Sequence, residues 1–135
     1  MTSMSDIRAG LVANLRSAYP DGVQVGKYIL SSPNPPTLQI RQGPVNYDLA
    51  MGGGLDDFTI IIQGVAQLNE TGQMQIDTWA ARVGGVKAAA ELDKKLGGVV
   101  NDLRVTGMAE PVAATVGGMD VLLAEWSVSV YPGVN

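Results

Sequence analysis

The stretch from Phe58 to Leu68 constrains the fold more than any other part of the chain. Phe58, Ile60 and Ile62 fall on one face of an extended segment. Thr59, Ile61, Gln63 and Val65 fall on the other. Apolar residues on both faces predict a central strand covered on both sides. A central strand needs neighbours, and the rest of the chain offers several. Thr37 to Gln42 alternates Leu38 and Ile40 with Gln39 and Arg41, as a half-buried strand does. Val99 to Met108 and Val121 to Tyr131 read as two more strands, separated by a loop holding Pro111 and Gly117-Gly118. Leu122, Ala124, Trp126, Val128 and Val130 form one face of the last. A short strand is expected from Val23 to Leu30, with Val23, Val25 and Tyr28 inward. Ser31 to Pro36 is too rich in proline to hold a ladder.

Helical spacing appears in three places. Ser5 and Asp6 are N-cap residue types, followed by Ile7, Leu11, Leu15 and Ala18 on one face and Arg8, Asn14 and Arg16 on others. Pro20 and Gly22 end that helix. Glu70 to Arg82 carries Met74, Ile76, Trp79 and Ala80, with Val83 beyond, and Gly84-Gly85 interrupts it. Val86 to Lys95 is a second piece whose terminal lysines precede Gly97-Gly98, a helix stop signal. The order α-β-β-β-α-α-β-β predicts an α+β domain, with helices packed on a mostly antiparallel sheet. A length of 135 residues fits one domain, spanning residues 1–135. Trp79 and Trp126 are expected in the core, with Met74 and Met108 filling gaps beside them.

Composition narrows the chemistry. The chain has neither cysteine nor histidine. Disulfides, thiol nucleophiles, Ser-His-Asp triads and His-based metal sites are excluded. Asp77, Glu91, Asp93 and Asp102 are scattered without an acid/base spacing. No catalytic residue, cofactor or metal ligand is assigned. Charged residues are only 16% of the chain, against about 25% in an ordinary domain, which suits a protomer of an assembly. The formal charge is −4 and the only adjacent cations are Lys94 and Lys95, so no basic patch for nucleic acid is expected. Neither a signal peptide at the start nor a run of about 20 apolar residues is visible, which predicts a soluble protein made in the cytoplasm.

Gly43 to Asp57 is the least regular stretch. Gly43-Pro44 opens it, and Tyr47-Asp48-Leu49-Ala50-Met51 leads into Gly52-Gly53-Gly54 and then Leu55-Asp56-Asp57. The glycine run lacks the lysine and hydroxyl residue of a phosphate loop, and the two acids after it would repel a phosphate. Asp48, Asp56 and Asp57 lack the alternating acids of a calcium loop. A loop of roughly 15 residues between strands exceeds the usual length, and such loops often serve a partner.

Several segments together resemble the tail terminator proteins of long-tailed bacteriophages, particularly those of actinobacterial hosts. They are Ser5-Asp6-Ile7-Arg8-Ala9-Gly10-Leu11, the Pro33 to Pro36 connector, Val45 to Gly52, and Leu55-Asp56-Asp57-Phe58-Thr59. Asp93-Lys94-Lys95-Leu96-Gly97-Gly98-Val99-Val100-Asn101-Asp102-Leu103-Arg104-Val105 is the most telling, and Leu123 to Tyr131 also fits. The chain departs from the family at Asn69 to Gln75 and in the Asp56-Asp57 pair. The resemblance covers nearly the whole length. It implies a small α+β virion protein, with no enzymatic activity, that forms a homo-oligomeric ring, usually of six. That ring caps the tail tube protein, halts its polymerisation, and presents a docking surface to a head-completion or neck protein. Genomic DNA would pass through the lumen without specific binding. The implied place is the head-proximal end of the tail, after assembly in the host cytoplasm and without a membrane. On this reading Tyr47, Asp48, Leu49, Met51, Gly52, Gly53, Gly54, Leu55, Asp56 and Asp57 are the expected subunit or tube interface, with Tyr47, Leu49, Met51 and Leu55 as apolar anchors. A head-closure or adaptor protein of the same neck is an alternative. A small carboxylate-based enzyme or ligand-binding domain is a more distant one.

Overall fold

A computed structural model describes residues 4–20, 22–29, 35–46, 57–98, 100 and 102–131. Helix α1 (Met4–Ala18) is followed by strands β1 (Gln24–Gly26), β2 (Thr37–Asn46) and β3 (Asp57–Gln67). Helices α2 (Glu70–Ala80) and α3 (Val86–Ala90) come next, then a 3-10 turn at Leu96–Gly98. Strands β4 (Asp102–Met108), β5 (Val112–Val116) and β6 (Met119–Tyr131) complete the order. The fold is α+β. The sheet runs β1-β2-β3-β6-β4, and every pairing is antiparallel except β1 with β2.

β3 is central, as its sequence predicts, but the two faces differ. Ile60 and Ile62 are buried beneath the helices beside Leu38 and Ile40 of β2. Trp126 and Val128 of β6 and Leu103 and Val105 of β4 extend the same layer. Ile7, Leu11 and Leu15 of α1, Ile76 and Trp79 of α2, and Val86 and Ala90 of α3 close it from above. On the opposite face Thr59, Ile61 and Gln63 are only half-buried, while Val65 is fully buried. The expectation of cover on both sides is therefore corrected for the middle of the strand.

Trp79 and Trp126 meet edge to face, their ring centroids 6.2 Å apart and their planes at 77°. Gly64 makes this possible, because a Cβ there would lie 2.8 Å from the Trp79 ring and 3.0 Å from Trp126.

Other sequence expectations shift for local physical reasons. β1 spans three residues, and Tyr28, expected inward, is 57% exposed with its ring under the Arg8 guanidinium at 4.5 Å. Arg8, expected on an outer face of α1, is buried. It donates to the carbonyls of Lys27 and Ile40 where the β1–β2 pairing stops. Asn14 is buried too and donates to the Ala90 and Asp93 carbonyls, at 3.0 and 3.1 Å, whereas Ala18 is exposed. α1 begins at Met4, so Ser5 and Asp6 lie in its first turn and do not cap it. Met74 is 61% exposed because α2 buries Gly72, Ile76 and Trp79, and a residue two positions from both Gly72 and Ile76 points away. Val83 lies past the end of α2 and is 89% exposed. Met108 does pack against the core.

β2 runs beyond Gln42 to Asn46 by absorbing Gly43-Pro44 in an irregularity of register, a place where a strand tolerates proline. The segment read as a loop around Pro111 contains β5. It pairs with the first residues of β6, while β4 pairs with the later ones along the same edge. Gly117 and Gly118 join β5 to β6 with φ of 58° and 78°, the left-handed values a two-residue hairpin needs. Helical structure after Gly85 ends at Ala90 and continues only as turns to Lys95.

Candidate functional site

β2 and β3 stop pairing at Asn46 and Asp57, which are Cα partners, so the chain leaves the sheet and returns at one point. Of the expected interface, only Asp57 falls within β3. Tyr47, Asp48, Leu49, Met51, Gly52, Gly53, Gly54, Leu55 and Asp56 lie outside the described residues.

Two surfaces among the described residues carry organised polar groups. The first is the sheet face without helices. Gln39, Gln63 and Glu125 stand opposite one another on β2, β3 and β6. Gln39 Nε2 donates to Gln63 Oε1 at 2.8 Å, and Gln63 Nε2 donates to Glu125 Oε2 at 3.2 Å. Arg41 donates to the same Glu125 oxygen at 3.0 Å. Every charge in this ladder is paired, so it stabilises the sheet and offers little to a reactant.

The second surface is a groove of about 810 Å³ between the outer edge of β4 and the ends of α2 and α3. Its floor holds a staple. Glu91 Oε2 accepts from the Val105 N–H at 2.8 Å and from Lys87 Nζ at 2.6 Å, and Lys87 donates to the Val105 carbonyl at 3.2 Å. Two side chains thus satisfy the backbone groups a neighbouring strand would otherwise take. Desolvation pushes the Glu91 carboxyl up. The bonds from Lys87 and Val105, with the charges of Lys87 and Lys94, outweigh it and hold the group below its ordinary 4.5.

Around the staple stand Arg82, Lys94 and Arg104, all exposed, none with a hydrogen bond or ion pair among the described residues. The expectation of no basic patch is corrected here: four of the nine Lys and Arg residues share this groove with one acid. They are scattered from position 82 to 104, and only the packing of β4 beside α2 and α3 brings them together. The Lys87-x-x-x-Glu91 spacing was a visible signal for the staple, but nothing in the sequence pointed to the cluster.

No group of three or more acidic residues that could hold a metal ion occurs among the described residues. No helix among them is long and apolar enough to cross a membrane. No protein-family model matches the sequence, and no curated protein matches it. Among solved structures, the chain is similar to one from the virion of a native gene transfer agent particle, at 14% identity and a TM-score of 0.37. The alignment covers 96% of this chain and 95% of that one, and a likeness this slight carries no argument about function.

Proposed function

We propose that this chain is a structural virion subunit, a tail terminator that works through complementary protein surfaces. Six copies close into a ring, cap the tail tube, stop its growth and present a docking face to the neck. DNA passes through the lumen without specific contacts. Each contact is heterologous, so a modest pairwise energy repeats around the ring until rotation closes it. Termination needs only that one face match the tube end while the other refuses a further tube subunit.

The observation that carries this reading is the Asn46–Asp57 pairing at the root of a hairpin. Between these two partners the sequence carries Tyr47, Leu49, Met51 and Leu55, four apolar residues in a segment with three glycines, and the described core already closes between the helices and the sheet from other residues. The near full-length resemblance of the sequence to tail terminators supports it as well. Asp48 and Asp56, with Asp57 at the strand start, flank these anchors.

Electron microscopy of the purified protein with and without tail tubes tests the proposal. Rings seated on tube ends are expected. Tyr47→Ala with Leu49→Ala is expected to leave the melting temperature in place while reducing ring or tube association by about tenfold or more, as truncated interface anchors do. A double variant that unfolds would assign both residues to the core and defeat the assignment of the anchors. A protein that stays monomeric with tubes present would defeat the ring.

A further inference from the structure

We infer that the basic groove along β4 is the receptor for the acidic side of a second copy of this chain, entered by its 47–57 segment. This rests on the reading that the segment makes a subunit contact, and it names the surface that receives it. Charge carries the inference. Four of the nine cations and one of the thirteen acids line the groove, a local balance of +3. The other five cations and twelve acids leave −7 on the rest of the chain. The remainder of a second copy is therefore acidic as a whole, and its acids lie mostly after residue 46, since residues 8–46 carry Arg8, Arg16, Lys27 and Arg41 against Asp21 alone. The stretch 47–57 is the most acidic eleven residues of all, with three aspartates and no cation.

The groove fits an extended segment better than a compact anion. It follows the edge of β4 from Arg104 to Met108, with Trp126 and Met108 supplying apolar wall and Arg82, Lys94 and Arg104 the charge around it. Apolar anchors bracketed by aspartates, Asp48 near one end and Asp56-Asp57 at the other, suit such a lining. Of the four cations only Lys87 is held by hydrogen bonds, to Glu91 and Val105, while Lys94 acts on Glu91 through its charge alone. Arg82, Lys94 and Arg104 have no partner of their own to lose among the described residues.

The test uses the full chain with a synthetic peptide of residues 47–57, followed by amide chemical shifts and Trp fluorescence. Binding that weakens with salt and moves the amides of Arg104 to Met108 is expected. Arg82→Glu with Lys94→Glu and Arg104→Glu should weaken it about tenfold or more, as the loss of three exposed ion pairs implies. A peptide with all three aspartates changed to asparagine should show the same loss on the unaltered protein, where folding is not at issue. No shift in the groove at millimolar peptide, or equal affinity for the asparagine peptide, would overturn the inference. So would a DNA oligonucleotide that displaces the peptide from the same amides and binds more tightly, because the groove would then belong to nucleic acid. Sedimentation of the triple variant separates this idea from the ring. Rings that form unchanged without the three cations defeat the groove alone. A groove that binds peptide in a chain that never assembles on tubes defeats the ring alone.

Discussion

Removing the Glu91 carboxylate should cost far more than its surface position suggests. Glu91→Ala leaves the Val105 N–H without its 2.8 Å acceptor and Lys87 without its 2.6 Å partner. A hydrogen bond to a charged group contributes about 1.5–3 kcal/mol. An i,i+4 ion pair adds about 0.3–0.5 kcal/mol. With only 15% of the Glu91 side chain exposed, solvent cannot fully replace either. The expected loss is about 2–3 kcal/mol. Unfolding entropy near 60 °C is about 2.1 cal/mol/K per residue, so a domain this long loses roughly 3.5 °C for each kcal/mol. The melting temperature should therefore fall by about 7–11 °C. Glu91→Gln keeps an acceptor for Val105 and should cost only about 1 kcal/mol at neutral pH. The acid range distinguishes charge from shape. The folded carboxyl titrates below its ordinary 4.5, so its stabilisation is complete above that value and drains as pH falls through the lower folded one. The gap between the native chain and Glu91→Gln should close over that window. Circular dichroism melts at one protein concentration, with hydrogen exchange at the Val105 amide, provide the readout. Equal losses for the Ala and Gln variants below about 0.5 kcal/mol, or unchanged Val105 exchange, would refute the staple.

The tryptophan pair yields two further predictions. Trp79 is fully buried and its Nε1 has no hydrogen-bond partner among the described residues. Trp79→Phe should thus cost well under the roughly 3–5 kcal/mol expected of Trp79→Ala, measured by denaturant unfolding. A Phe variant as damaging as the Ala one would mean that the indole N–H has a partner. Gly64→Ala places a Cβ within 2.8 Å of Trp79 and should cost about 1–3 kcal/mol while altering the near-ultraviolet dichroism of the pair. An unchanged spectrum would show that the rings have room to yield.

Elements with a strong period were legible, and those decided by partners were not. Ile7, Leu11 and Leu15 of α1 repeat at helical spacing and are all fully buried. The alternation of β6 from Leu122 to Val130 matches its inward face. β5 was missed because Val-Ala-Ala-Thr-Val is short and lies between Pro111 and a glycine pair, although that pair is itself a hairpin signal. β1 was overextended because nothing in Val23 to Leu30 says where a parallel partner stops. Arg8 marks that point, and its reach across 32 residues to Ile40 is invisible to local periodicity. The same limit governed the candidate site. Tyr47 to Asp57 could be singled out from composition, since a run of three glycines, three acids and several apolar residues are packed into eleven positions there. The groove could not, since its cations come from α3, β4 and the turns after α2 and α3, and approach only through packing.

Segregated charge has a consequence for the symmetry of assembly. Two copies meeting groove to groove in a two-fold dimer would set Arg82, Lys94 and Arg104 against their own images, three unpaired cations facing three. Like charges juxtaposed at an interface disfavour it, and this acts as a bar to the isologous pair. A head-to-tail contact sets the same cations against part of a remainder whose summed charge is −7, and it is favoured where the acids of that remainder are met. Heterologous contacts either close into rings or run on as filaments, and the rotation between copies decides which. If the proposed contact forms, the charge pattern favours the heterologous class of assembly, and the shape of the proposed anchors would have only to set the angle.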